Sequence, residues 1–307
     1  MCPADPEFSP LRIALGAGEA GRFDAGAPVL AGEAEENQFG AALPAGEVGS
    51  LSLFQTDDWL LGAATVPAAG DLERVSHRVY EDIFQAAGGR HLARIWNYVP
   101  AINEVDPAGL ENYRAFCRGR SLAFEQRFGR GFNAWMPAAS AVGRRAGALT
   151  VMFAACSSAP RHVENPLQTS AYDYPAEYGP RAPSFARATV VPAPKGATVF
   201  ISGTAAIRGH ETIAAHDVGR QLECTLENLR AISAACGLGR DLDRNGGSTR
   251  HFKIYVRHAA DYPAVAARLA ELLLVSTDRV SYVRADICRS ELLVEIEASL
   301  FGVTGVC

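Results

Sequence analysis

The chain runs through the same order of elements twice, and this repetition limits its fold more than any other feature. In the first pass, residues 52–54 and 59–65 alternate as strands around a Thr-Asp-Asp turn. Residues 72–87 follow as a helix, with Leu72, Val75, Val79 and Ile83 at helical spacing and Gly88-Gly89 at its end. A strand at 91–99, a helix at 109–128 and strands at 133–142 and 149–155 complete the pass. The second pass has a strand at 198–202 and a helix at 218–236 with Val218, Leu222, Leu226, Leu229 and Ile232 inward. A strand at 251–256, a helix at 260–274 with Asp261 as N-cap, and strands at 280–286 and 292–301 close it. Residues repeat as well as elements. Arg90-His-Leu-Ala-Arg-Ile-Trp parallels Arg250-His-Phe-Lys-Ile-Tyr, and Leu149-Thr-Val-Met-Phe-Ala-Ala lines up with Leu292-Leu-Val-Glu-Ile-Glu-Ala. The sequence predicts an α/β (α+β) fold of two related β-α-β-α-β-β halves packed together. The expected division is 1–160, a linker at 161–196, and 197–307. Residues 1–50, rich in Ala, Gly and Glu, predict short strands and loops within the first part.

The alignment of the halves singles out one side chain. On the closing strand, Leu292, Val294, Ile296 and Ala298 form an apolar row, and Glu295 and Glu297 fall on the other face. By itself that face reads as the solvated side of an antiparallel sheet. In the first half, however, Met152 stands where Glu295 does and Ala154 where Glu297 does. A residue needed only by the fold would more often be matched in both copies, so Glu295 is a candidate general acid or base, fixed on a rigid strand. Glu297 reads as structural or secondary.

Composition narrows the function classes. A formal net charge of −5 disfavours nonspecific nucleic-acid binding. No apolar run reaches membrane-helix length. The start has no basic region followed by an apolar block, so no signal peptide is expected. Seven cysteines are scattered without a C-x-x-C pair, which predicts reduced thiols in a cytoplasmic protein and no structural zinc. No cofactor is called for, and the oligomeric state is open between monomer and homo-oligomer.

Between the halves, three tyrosines and two arginines fall within the sixteen residues from Tyr172 to Arg187, among several prolines. This segment is too aromatic for a disordered linker. It is either an ordered loop that lines a pocket or a strap across the interface of the halves.

These residues, with others, resemble one family. Arg94-Ile-Trp-Asn-Tyr-Val-Pro, Gly109-Leu-Glu-Asn-Tyr113-Arg-Ala-Phe-Cys-Arg-Gly-Arg120, Ser170-Ala-Tyr-Asp-Tyr-Pro, Tyr178-Gly-Pro-Arg181-Ala-Pro-Ser-Phe-Ala-Arg187 and Phe200-Ile-Ser-Gly-Thr-Ala occur in the order found in the chorismatases, over about residues 50–307. The resemblance implies a YjgF/RidA-like C-terminal half. It also implies chorismate as substrate, cleaved at its enolpyruvyl ether to pyruvate and 3-hydroxybenzoate.

Breaking a vinyl ether requires a proton on its methylene carbon, hence a carboxylic acid held protonated near neutral pH. Glu295 matches the family's catalytic glutamate. Cys288, seven residues earlier, matches a cysteine of the members that release 3-hydroxybenzoate, although a buried thiol is also a common core residue. Two substrate carboxylates call for arginine forks and tyrosine hydroxyls, and the candidates are Tyr113, Arg120, Tyr172, Tyr178, Arg181 and Arg187. Gly203 would let ligand approach the backbone, and Ala205 beside it would bear on the product. Alternative outcomes are a dihydroxycyclohexadiene carboxylate or a mixture of 3- and 4-hydroxybenzoate. Alternative functions are a YjgF-like imine deaminase or a binding module for aromatic acids. The deaminase would need an arginine where Val280 stands, with Arg279 pointing to the opposite face.

Overall fold

The computed structural model describes residues 9–68, 70–145 and 147–306. Three strands come first: β1 (Pro10–Ala14), β2 (Arg22–Gly32) and β3 (Glu35–Glu36). The first half continues with β4 (Leu43–Val48), β5 (Leu51–Gln55), β6 (Trp59–Pro67), α1 (Leu72–Ala87), β7 (His91–Pro100), α2 (Asn112–Phe128), β8 (Ala138–Arg144) and β9 (Ala148–Cys156). After β10 (Arg161–Val163), the second half has β11 (Ala188–Val191), β12 (Ala197–Ala205), β13 (Ile207–Arg208), β14 (Glu211–Thr212), α3 (Val218–Cys236), β15 (Thr249–Val256), α4 (Tyr262–Leu272), β16 (Arg279–Arg284) and β17 (Val294–Val303). Among the described residues, no helix is long and apolar enough to cross a membrane.

Local chemistry sets the helix ends. Asp71 and Asp217 cap α1 and α3, accepting the N–H of Arg74 and of Arg220, donors that the first turn leaves unpaired. Gly237 ends α3 in the left-handed conformation, φ 90°. Helix α2 starts three residues later than the sequence suggests, because Asp106 holds the preceding turn through the N–H groups of Ala108 and Leu110. Strand β8 also begins late, after a 3-10 turn at Phe132–Trp135 whose Trp135 stacks on Phe128. Asp261 occupies the cap position of α4, but its carboxylate accepts no cap hydrogen bond. A 3-10 turn leads into that helix instead.

The duplication is visible in the pairing. One sheet has the order β4-β5-β6-β9-β7-β8, and within the other runs β11-β12-β17-β15-β16. β7/β8 and β15/β16 are parallel in their sheets, and the partners of β9 and β17 are antiparallel. Trp96 faces Met152 across β7/β9, and Tyr255 faces Glu295 across β15/β17. Arg94 faces Ala154, and Lys253 faces Glu297. The register therefore places Met152 with Glu295 and Ala154 with Glu297, as the sequence alignment does.

Each sheet buries its outer face under its own helices. Phe84, Phe116 and Phe124 pack on the first, and Leu222, Leu229 and Leu269 on the second. The inner faces meet, with Met152, Ala154, Trp96, Phe200 and Tyr255 in one cluster. The polar face of β17, which the segment by itself would leave to solvent, is covered: Glu295 and Glu297 are each only 3% exposed. A correction concerns residues 10–36, which the sequence grouped with the first half. They extend the second sheet, because β2 pairs with β16 and covers an edge that would otherwise be open. Ala25, Ala27 and Val29 of β2 enter the core between the sheets, which fixes the segment there.

Candidate active site

Glu295 lies near the start of β17, a central strand, opposite Ala205 of β12 and Tyr255 of β15. Beside it β12 is bulged: Ser202 and Gly203 together oppose one residue of β17. The bulge and the glycine make room for the acid. A Cβ on Gly203 would lie 2.0 Å from Glu295 Oε1 and 3.2 Å from the Ser140 Cβ. Gly203, expected to admit ligand to the backbone, lines the cavity, and the Glu295 carboxyl fills the place that a Cβ would take. Oε1 is buried without a hydrogen-bond partner among the described residues. Burial first, and then the charge of Glu297, push the Glu295 carboxyl up to about 8, so it holds its proton at neutral pH.

Glu297, on the same face, has the opposite environment. It accepts from Arg94 Nη2 (2.7 Å), Trp96 Nε1 (2.9 Å), Lys253 Nζ (3.1 Å) and Tyr255 OH (3.3 Å). Burial alone would raise its pKa, but Lys253 and Arg94 outweigh burial and hold it below the ordinary value. Lys253 also pairs with Glu36 at 2.9 Å. Two carboxyls on one strand thus differ in protonation because their surroundings differ, a pattern typical of acid–base sites.

A cavity of about 190 Å³ opens at Glu295 and is lined also by Tyr113, Gly203, Ala205, Cys288 and Phe185. Its cationic wall is Arg187 and Arg289. Arg187 Nη2 donates to Tyr174 OH (2.8 Å) and to Thr169 O (3.0 Å), and Nε has no acceptor among the described residues. Arg289 stacks on Tyr178 at 4.2 Å and donates from Nη1 to Thr212, and its Nη2 has no acceptor among the described residues. An adjoining recess of about 30 Å³ reaches Arg120, which packs over Phe116 and whose Nε is unpaired among the described residues. Of the acidic residues on the cavity wall besides Glu295, Glu111 is paired with Arg114 at 3.2 Å, and Glu291 is the other. Spare guanidinium donors beside a protonated acid fit a ligand with more than one carboxylate.

Cys288 faces the cavity from a bend after Ile287, which bridges to Val142 of the first half; it is not on the neighbouring strand as expected. Burial, followed by the nearness of Glu295, pushes its thiol up to about 12, so it remains S–H. Burial likewise raises the Tyr113 hydroxyl well above its usual value, leaving a neutral phenol.

Two expected ligands are elsewhere. Tyr172 packs against the core of the first half, and Arg181 pairs with Glu125 at 2.6 Å and contacts Ser121. Tyr174 takes the place expected of Tyr172, because the 3-10 turn at Ala171–Asp173 directs alternate residues to different sides. Arg289 and Phe185 were missed. Arg289 directly follows Cys288, and that adjacency was the available signal. Ser202 is committed to structure: its hydroxyl donates to Ala186 O at 2.6 Å and accepts the Ala139 N–H at 2.9 Å, tying the sheets together. Arg279 is held bidentately by Glu33, both contacts 2.8 Å, so it is unavailable for deaminase chemistry. In a roomier groove, about 580 Å³ beside α3 and α4, two of the three arginines are paired within the lining, Arg208 with Glu227 and Arg268 with Glu223.

The chain as a whole is similar to known proteins. The family model described as "Chorismatase FkbO/Hyg5-like, N-terminal" matches residues 38–155. A 3-hydroxybenzoate synthase of Streptomyces hygroscopicus is 38% identical over 266 residues, covering 82% of this chain and 76% of that protein. A chorismatase of Streptomyces rapamycinicus is 42% identical over 254 residues, covering 79% and 75%. A chorismatase crystal structure superposes with a TM-score of 0.77 at 35% identity, over 85% of this chain and 80% of that one. The YjgF gene product of E. coli matches 47% of this chain at 20% identity with a TM-score of 0.32, a likeness on which no argument rests.

Proposed function

Because the chain belongs to the chorismatase family, we propose that it converts chorismate to pyruvate and 3-hydroxybenzoate, with Glu295 as general acid. One observation carries this reading: a buried, protonated carboxyl with an unbonded oxygen opens on a cavity whose guanidiniums have donors to spare. Chorismate supplies two carboxylates for those donors and an enolpyruvyl ether for the acid.

The proton of Glu295 goes to the methylene carbon. The electron pair of the C=C bond forms the new C–H bond, and the ether oxygen shares the positive charge. The oxygen of the ring 4-hydroxyl then bonds to the neighbouring ring carbon as the bond from that carbon to the pyruvyl oxygen breaks. The released pair completes the ketone of pyruvate, and the hydroxyl proton returns to Glu295. The arene oxide so formed opens to the phenol. Pyruvate and 3-hydroxybenzoate together hold every atom of chorismate, so no water is consumed.

Arg187, Arg289 and Arg120 would hold the carboxylates. Each carries an N–H group without an acceptor among the described residues, and each lines the cavity or its recess, which supports this role. Cys288, as a neutral thiol, would lie beside the ring and assist the opening of the oxide. Small Ala205, in register with Glu295, leaves the ring space next to the acid.

The test is product analysis after incubation with chorismate. Equal amounts of pyruvate and 3-hydroxybenzoate are expected. A dihydroxycyclohexadiene carboxylate would mean that water, not the 4-hydroxyl, is the nucleophile. Ammonia released from an imine without pyruvate would replace the reading with deaminase, and binding without turnover would leave a binding module.

A further inference from the structure

One arginine from the other half of the molecule is bonded to Glu297 and acts on Glu295 through its charge. Arg94, on β7, is fully buried. Its Nη2 donates to Glu297 at 2.7 Å and to Ser140 at 2.9 Å, while Nε and Nη1 have no acceptor among the described residues. Leaving two donors of a buried cation unmade is costly, so this position calls for an acceptor that the resting protein does not offer. Ser140, the neighbour of Arg94, lines the recess that holds Glu295. The charges of the buried network also balance only in one state. Arg94 and Lys253 offset Glu297 and Glu36 when Glu295 is neutral. One negative charge is added when Glu295 gives up its proton.

We propose that Arg94 and Glu297 are positioning residues that act through Glu295. Glu297 holds Arg94 while Glu295 carries its proton, and the free N–H groups of Arg94 serve the Glu295 carboxylate once that proton is on the substrate. The proposal rests on Glu295 being the general acid. Other charged or titratable groups also face Glu295: Arg187 before β11, and the neutral thiol of Cys288 and Arg289 from the bend. Tyr255 of β15 is opposite, and Tyr113 and Arg120 of α2 share its recess. Glu297 is faced by Lys253 and Tyr255 of β15 and by Arg94 and Trp96 of β7, with Tyr98 and Glu36 beyond Lys253.

The test is the pH profile of pyruvate release from chorismate, whose alkaline limb follows loss of the acid's proton. Glu297→Gln removes the charge that opposes ionisation of Glu295, so the limb moves down by about one pH unit. Arg94→Met removes the charge that favours ionisation. Its limb moves up, and kcat falls about tenfold because the carboxylate forms without its cation. Arg94→Lys, which keeps the charge, returns the limb toward that of the parent. Shifts of opposite sign support the proposal, since a purely structural role would weaken both variants without them. Limbs that stay put, or move together, overturn it.

If these variants do not fold, infrared difference spectra of the parent against Glu295→Gln replace them. One protonated carboxyl that titrates near pH 8 is expected, and one already ionised at about pH 6 overturns the proposal. If the parent releases no pyruvate, the general-acid reading has failed and the inference falls with it. If the parent turns over and the limbs do not part, the inference alone has failed.

Discussion

Met152 and Glu295 occupy the same place in two copies of one sheet. Each lies on the strand that runs between an antiparallel partner distant in the chain and the strand joining the two helices, and each points toward the other half. Met152 is surrounded by apolar neighbours in the core between the sheets. Glu295 is equally buried but borders a cavity, and the strand beside it is bulged at a glycine to hold its carboxyl. A duplicated scaffold can therefore keep one copy as packing and use the other for chemistry. The first half still contributes: Arg94, the counterpart of Lys253, reaches across to Glu297, and Tyr113 and Arg120 of α2 border the acid.

The comparison can be broken most severely at Glu295. Glu295→Gln is expected to fold and to lose at least about 100-fold in turnover. It should also gain stability. A carboxyl whose pKa is raised on folding stabilises the folded state least at high pH. The cost builds up as pH rises from about 4.5 to about 8 and approaches 3 kcal/mol by pH 7, to be read from urea midpoints at pH 5 and pH 7. Next comes Gly203→Ala, which drives a methyl group into the carboxyl and should lower kcat by about 100-fold through misplacement of the acid. In the first half, Gly62→Ala would collide with Phe153 instead, so its cost should appear in stability and not in kcat per folded molecule. Equal kcat losses from the two glycines would erase the distinction between the halves.

Met152→Glu should destabilise by about 3 kcal/mol in thermal or urea unfolding, and should not restore turnover to Glu295→Gln. Recovery of activity there would show that position matters and surroundings do not. The smallest effect is expected at Cys288→Ala: pyruvate release continues while the aromatic product shifts toward the dihydrodiol. An unchanged product distribution would reduce Cys288 to packing.

Much of the scaffold was legible because it is written locally. Helices α1 and α3 carry a helical apolar stripe ended by glycine, and their bounds follow. The repeat placed Glu295 against Met152 in the same register as the strands do. Non-local features were not legible. Alternation along β17 separates two faces without saying what covers the polar one. Glu297 is satisfied by Arg94, 203 residues away, and no local pattern announces such a partner. The pairing of β2 with β16 joins distant segments for the same reason. Within the site, Tyr174 was passed over for Tyr172 because the direction of a side chain in a 3-10 turn depends on a single residue of register. Cys288 was placed on a strand, and the bend there also carries Arg289 to the cavity.

The most direct test of the account is the pH dependence of pyruvate release from chorismate by the parent protein, measured beside Glu295→Gln. The account predicts activity that is level below neutrality and falls away above about pH 8, with almost none in the variant at any pH. Activity that rises through pH 8, or a variant that matches the parent, would contradict it.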